Sequence, residues 1–298
     1  MERLRESISI VKATALEILS EPLSLLVLLA ALAIAVLAPA FHYHQFGEAT
    51  RMARDAGFSA LFACGGVFAV FGTIRAFRRE IESGTLEMAL AHPISRARFF
   101  FAKTVGALVA CLAFAAIVLF TALTIVEGAA VGGAIAQRTG DIARLWGPCF
   151  AAGVGIAVVP LVAGAALNRF ARCRFVLSAF AVALVLSALA AGWVTVRDAR
   201  LVGRLLPVAA LVIALMSVLL LAAAVFSVRW KANAAAAAVG IVVLALVPVI
   251  GNYYRPDALA NGGAVTWGYV AWATLALLPA LVFFALIGFH FVQGRDVT

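Results

Sequence analysis

The sequence predicts an all-α fold, a polytopic bundle of about eight transmembrane helices, and three observations lead there. Hydrophobic residues make up 65% of the 298 and charged residues only 12%, with a mean hydropathy of +1.09, far outside soluble composition. Apolar runs long enough to cross about 30 Å of hydrocarbon recur along the whole chain. The basic residues gather in the short segments between those runs, where they set topology and meet anionic headgroups. A formal charge of +9 would suggest nucleic acid as the partner of a soluble domain; in a chain of this composition no nucleic acid is expected.

Residues 1–22 come first. Leu4, Ile8, Val11, Ala15 and Ile18 recur at helical spacing, with Glu6, Ser9 and Glu17 between them. Such a stripe fits an interfacial helix lying in the membrane plane, and equally a helix packed against its neighbours. Pro22 suits the first turn of the helix that follows. That next apolar run lacks a small-residue cleavage signature and is expected to be an uncleaved first span.

Spans are expected near Leu23–Phe41, Gly57–Ile74, Thr104–Val126, Gly147–Leu167, Phe175–Val196, Leu205–Val228, Ala234–Gly251 and Trp267–Phe291. Tyr43, Trp146, Trp193, Trp230, Tyr253, Tyr254, Trp267 and Tyr269 fall near their ends, at the level where an apolar ring keeps its polar tip wet. Residues 126–136 could extend the third helix, and the two spans joined at Arg229–Lys231 share a very short loop, so six spans plus a re-entrant hairpin also fit. With the N-terminus inside, 15 Lys and Arg lie on the inner side and 8 on the outer, which places both termini in the cytoplasm. Gly128 and Gly132 permit close helix approach, and Pro160, Pro248 and Pro279 should kink the spans that contain them.

Reactive chemistry is sparse. Cys64, Cys111, Cys149 and Cys173 are scattered without a Cys-x-x-Cys pair, so neither a disulfide framework nor a zinc site is indicated. There is no Gly-x-x-x-x-Gly-Lys-Ser/Thr phosphate cradle, no His-Glu-x-x-His and no Gly-x-Ser-x-Gly. All five aspartates fall in loops or the tail, and Glu127 is the one carboxylate that could lie at membrane depth, a place near the interface suiting it best. A proton- or sodium-coupled carrier would normally keep a carboxylate relay there. His42-Tyr43-His44 could share a metal if extended but reads better as interfacial aromatics, and His92 and His290 have no evident co-ligand.

The most informative segment is the charged island from Arg75 to Lys103, which holds six of the 23 basic residues. Ser83 can cap a short helix whose first turn carries Thr85 and Glu87, residues favoured by the positive end of the helix dipole. Gly84 permits a tight approach, and Pro93 stops that helix after Ala91 or His92. Ser95 can then cap the next helix, and Phe99, Phe100 and Phe101 lead into the third span. The order is helix, break, short helix, break, helix. The compact basic loop Asn168–Arg174 offers either a second protein contact or a headgroup anchor.

Arg79-Glu80-x-Glu82-x-Gly84-Thr85-Leu86-Glu87, followed by His92-Pro93-Ile94-Ser95-Arg96 and Lys103, resembles the first cytoplasmic loop of ABC-2 type transporter permeases. In that family the loop reads as acidic residues, Gly-Thr-Leu-Glu, Pro-x-Ser-Arg and then Gly-Lys. Here Ala102-Lys103 stands in place of Gly-Lys. The likeness is specific over Arg75–Gly106, looser over the first four spans, and beyond Asn168 only general. It implies that Glu80, Glu82, Gly84, Thr85, Leu86, Glu87, Pro93, Ser95 and Arg96 belong to a coupling loop that fits a cleft on a separate cytoplasmic ATPase. ATP and Mg would then be bound by that partner and no cofactor by this chain. Family members usually have six spans, so an expectation of eight is a departure.

Together these readings describe one permease domain over 1–298, with an interfacial helix at 1–22 and a coupling loop at 75–103. The expected function is the non-enzymatic membrane subunit of an ABC-2 type transporter, an exporter in the cytoplasmic (inner) membrane. It would pair with a second copy or a paralogue and with the ATPase. An ion-coupled secondary transporter would instead be indifferent to the island, and a membrane assembly factor would function without an ATPase.

Overall fold

The computed structural model describes residues 2–37, 49–82, 95–139, 147–231, 234–242 and 265–293, among which there is no strand. In chain order the helices are α1 (Glu2–Leu19), α2 (Pro22–Leu37), α3 (Ala49–Glu82), α4 (Arg96–Thr139), α5 (Gly147–Ala171), α6 (Phe175–Arg197), α7 (Ala199–Arg229) and α8 (Trp267–Gln293). A further stretch, 234–242, is also helical. Hydrocarbon offers no partner to a peptide N–H or C=O, so each apolar segment satisfies its own backbone by coiling. Two buried hydroxyls do the same: Thr121 donates to Ile117 O at 2.7 Å and Ser227 to Ala224 O at 2.8 Å, each on its own helix.

Helices α3 to α8 are long and apolar enough to span a bilayer, and α1 with α2, broken at Ser20–Glu21, add a seventh if taken as one span. Six of the eight expected spans lie on α3 to α8. The first begins on α2, and the seventh begins on the stretch 234–242. Their remaining residues, 38–41 and 243–251, lie outside the described residues.

Element ends differ from the hydrophobic boundaries in informative ways. With 44 residues, α4 is about 66 Å long at 1.5 Å per residue, roughly twice the hydrocarbon thickness. It absorbs residues 126–136 and projects beyond the lipid core. Helix α3 likewise continues to Glu82, so the first helical part of the charged island is the end of a span. The segment 197–204, expected as an outer connection between two apolar runs, is helical except at Asp198. Asp198 Oδ1 accepts the N–H groups of Arg200 at 3.0 Å and Leu201 at 3.1 Å, which starts α7 at Ala199 and places Arg200 and Arg204 in its first turns. Pro207 consequently stands inside α7, as Pro160 does in α5 and Pro279 in α8.

Contacts divide the chain into two compact units. One comprises Met1–Ile18, Gly66–Cys111 and Ala210–Thr298. Its core gathers Val70, Ile74 and Phe77 of α3, Phe100 of α4, Val218 to Val228 of α7 and Phe284 of α8. The other comprises Leu19–Gly65 and Leu112–Ala209. Ala35 and Val36 of α2, Leu123 and Val126 of α4, and Leu205 and Ala209 of α7 form its core, and α5 packs along α6. There α3 meets α4 at Gly57, where a Cβ would stand 2.6 Å from the Ala122 Cβ, closer than a side chain permits.

The stripe on α1 resolves within the first unit. Thr14, Ala15 and Ile18 are buried, whereas Ile8 is 60% exposed. The C-terminal half is therefore a packing helix, and the outward face farther back keeps the character suited to an interface.

Candidate functional site

Residues 83–94, the heart of the charged island, lie outside the described residues, and with them Gly84, Thr85, Leu86, Glu87 and Pro93. What the structure describes is the pair of stems that carry them: the end of α3 and the start of α4. Glu82 is the last residue of α3 and Arg96 the first of α4. Ser95 precedes α4 as its cap, its Oγ accepting the Arg98 N–H at 3.4 Å and its carbonyl the Phe99 N–H at 3.1 Å.

The stems are joined by charge. Lys103, one turn beyond Phe99, is completely buried and is the one charged side chain so buried among the described residues. Its Nζ lies 2.6 Å from Oε2 of Glu80, whose side chain keeps 30% exposure. Two rings also face the ammonium, Phe77 with its centroid at 5.4 Å and Phe99 at 5.7 Å. Phe77 and Glu80 are three residues apart on α3, and Phe99 and Lys103 four apart on α4, so each helix presents one aromatic and one charge on the same face. A buried charge is tolerated when paired, and the ring quadrupoles add attraction where water is excluded.

A second pair reaches α1. Arg79 Nη1 stands 3.6 Å from Glu17 Oε1, and Glu17 also acts coulombically on Lys103. Packing reinforces this contact. A Cβ at Gly106 of α4 would lie 2.7 Å from the Val11 carbonyl oxygen and 2.8 Å from Thr14 Cβ, and one at Gly72 of α3 would lie 3.0 Å from Ile18 Cγ2. Only a residue without a side chain lets α1 come this near α4.

Of the residues singled out by sequence, the structure places Glu80 in an ion pair with Lys103, Glu82 at the end of α3, Ser95 at the cap and Arg96 at the start of α4. The pairs of Lys103 with Glu80 and of Arg79 with Glu17 go beyond the sequence expectation. Their signal was the coincidence of aromatic and charged residues at helical spacing near both ends of the island.

The other candidates carry less. Among the described residues no group of three or more His, Cys, Asp and Glu side chains converges as a metal site requires. His42-Tyr43-His44 lies outside the described residues, and His290 is exposed on α8. Glu127 is half-buried on α4. In the basic loop Arg169, Phe170, Arg172, Cys173 and Arg174 are all exposed, and Arg172 takes a left-handed backbone with φ 54°.

Among the described residues this arrangement holds no nucleophile beside a base. It fastens the ends of α1, α3 and α4 to one another. A family model described as ABC-2 family transporter protein matches residues 19–266. No curated protein and no solved structure matches the chain.

Proposed function

The chain belongs to the ABC-2 transporter family, as a multi-pass membrane permease of a kind that works with a cytoplasmic ATPase subunit, and on that footing we propose that residues 75–103 form the surface on which that ATPase docks. ATP and Mg are handled by the partner, and this chain converts the partner's change of state into movement of its spans. The complex exports its substrate across the cytoplasmic membrane, with a second copy or a paralogue completing the path.

One observation carries the reading. In the sequence the acidic, Gly-Thr-Leu-Glu and Pro-x-Ser-Arg pattern runs between two helix ends that are anchored to one another, with Glu80 and Lys103 2.6 Å apart. A loop on anchored stems delivers an applied displacement to the helices, whereas a loop on loose stems dissipates it. A partner whose ATP-bound form makes different contacts with the loop shifts the permease equilibrium by that difference and no more.

Affinity capture of the tagged protein in mild detergent tests the proposal. An ABC ATPase subunit is expected to copurify, and a Gly84→Trp, Glu87→Arg double change is expected to remove it while leaving membrane insertion intact. Capture without any nucleotide-binding subunit, or capture indifferent to the double change, would overturn the docking assignment.

A further inference from the structure

We propose that Lys103 and Glu80 are positioning residues whose ion pair makes α3 and α4 move as one body when the intervening segment is displaced. This inference rests on the docking reading above and deepens it. The two residues flank residues 83–94 from opposite sides, Glu80 three residues before and Lys103 nine residues after. Without a tie, a force on a connecting segment could slide one helix along the other.

With the pair in place, sliding must pull a fully buried ammonium away from its half-buried counter-charge, and a buried charge left without its partner is disfavoured. The two rings add to the shielding. Phe77 and Phe99, with centroids at 5.4 and 5.7 Å, face the Lys103 ammonium, which is fully buried. The outer pair differs in kind. Arg79 and Glu17 are separated by 3.6 Å, with 66% and 27% side-chain exposure, and an ion pair so open to solvent contributes little. Helix α1 is therefore held chiefly by packing at Gly72 and Gly106. The buried pair is the stiff link of the joint, and the outer pair only an accessory to it.

Hydrogen exchange on the full complex of permease and copurified ATPase in lipid nanodiscs tests this, comparing the nucleotide-free state with the state trapped by Mg-ATP and vanadate. In the wild type, trapping is expected to change exchange at the end of α3 and at the start of α4 together. In the complexes that still hold the ATPase, Lys103→Met, close in volume but uncharged, should reduce the response at one stem relative to the other. The expected reduction is about fivefold, the lower end of an ordinary coupling between sites. The Glu80→Gln, Lys103→Met double variant leaves no buried charge unpaired. It should match the single variant, and it carries the same test if the single variant does not accumulate.

A wild-type response at both stems in either variant would overturn the tie and leave the docking reading standing. Loss of the ATPase from the variants would also overturn it, because the pair would then act on docking itself. A wild-type complex with no response at either stem would refute the docking reading together with the tie.

Discussion

Lys103 and Glu80 form one pair but stand in different surroundings, and the difference fixes what each deletion does. Glu80 keeps 30% exposure and can turn to water if its partner is lost, whereas Lys103 has none. Glu80→Ala is thus expected to destabilise by about 3–5 kcal/mol, the range for orphaning a buried charge, and Lys103→Met by about 1 kcal/mol or less. Thermal unfolding in detergent reads both, and the opposite order would show that the ammonium is wetter than the structure has it. Ser95→Ala should remove the cap of α4 at about 1 kcal/mol, seen as faster amide exchange confined to its first turn. The cap was legible because Ser95 stands two residues after the Pro93 break and its hydroxyl needs only local neighbours. The Lys103 pair was not legible as a pair, since its partner depends on the register of α3 against α4, which local spacing does not encode.

At the scale of elements, hydrophobicity located the spans but not their ends. An apolar run reports where lipid begins, whereas a helix ends where its last carbonyls and first N–H groups find partners. Asp198 shows the difference, starting α7 at Ala199, six residues before the apolar run at Leu205. Helix α1 shows another, since its stripe fitted two environments and only tertiary contact with Gly72 and Gly106 distinguishes them. Gly106→Val should drive α1 off α4 and speed tryptic cleavage after Lys12 severalfold. Gly155→Val on α5, where a Cβ meets nothing within 4 Å, should leave that cleavage at the wild-type rate. Equal cleavage of the two variants would show that α1 does not depend on this close approach.

For the whole molecule, class and membrane character were legible from composition alone, because 65% hydrophobic residues leave no soluble alternative. Sidedness rests on the distribution of Arg and Lys, and Cys173 offers a native probe of it. It is exposed among Arg172 and Arg174, whereas Cys111 is buried and Cys64 partly so. With Cys64, Cys111 and Cys149 replaced by Ala, a membrane-impermeant maleimide should label Cys173 rapidly in inverted vesicles and slowly in intact cells. The reverse pattern would turn the topology over and put the charged island outside. The partner's contact itself is read most directly by a photo-reactive amino acid at Met88, directly after the Gly-Thr-Leu-Glu segment, irradiated in living cells. An adduct containing an ABC ATPase subunit is expected there, and none from the same probe at Trp193 on α6. An adduct only to the permease's own spans, or none to any ATPase, would mean that this segment is not where the two proteins meet.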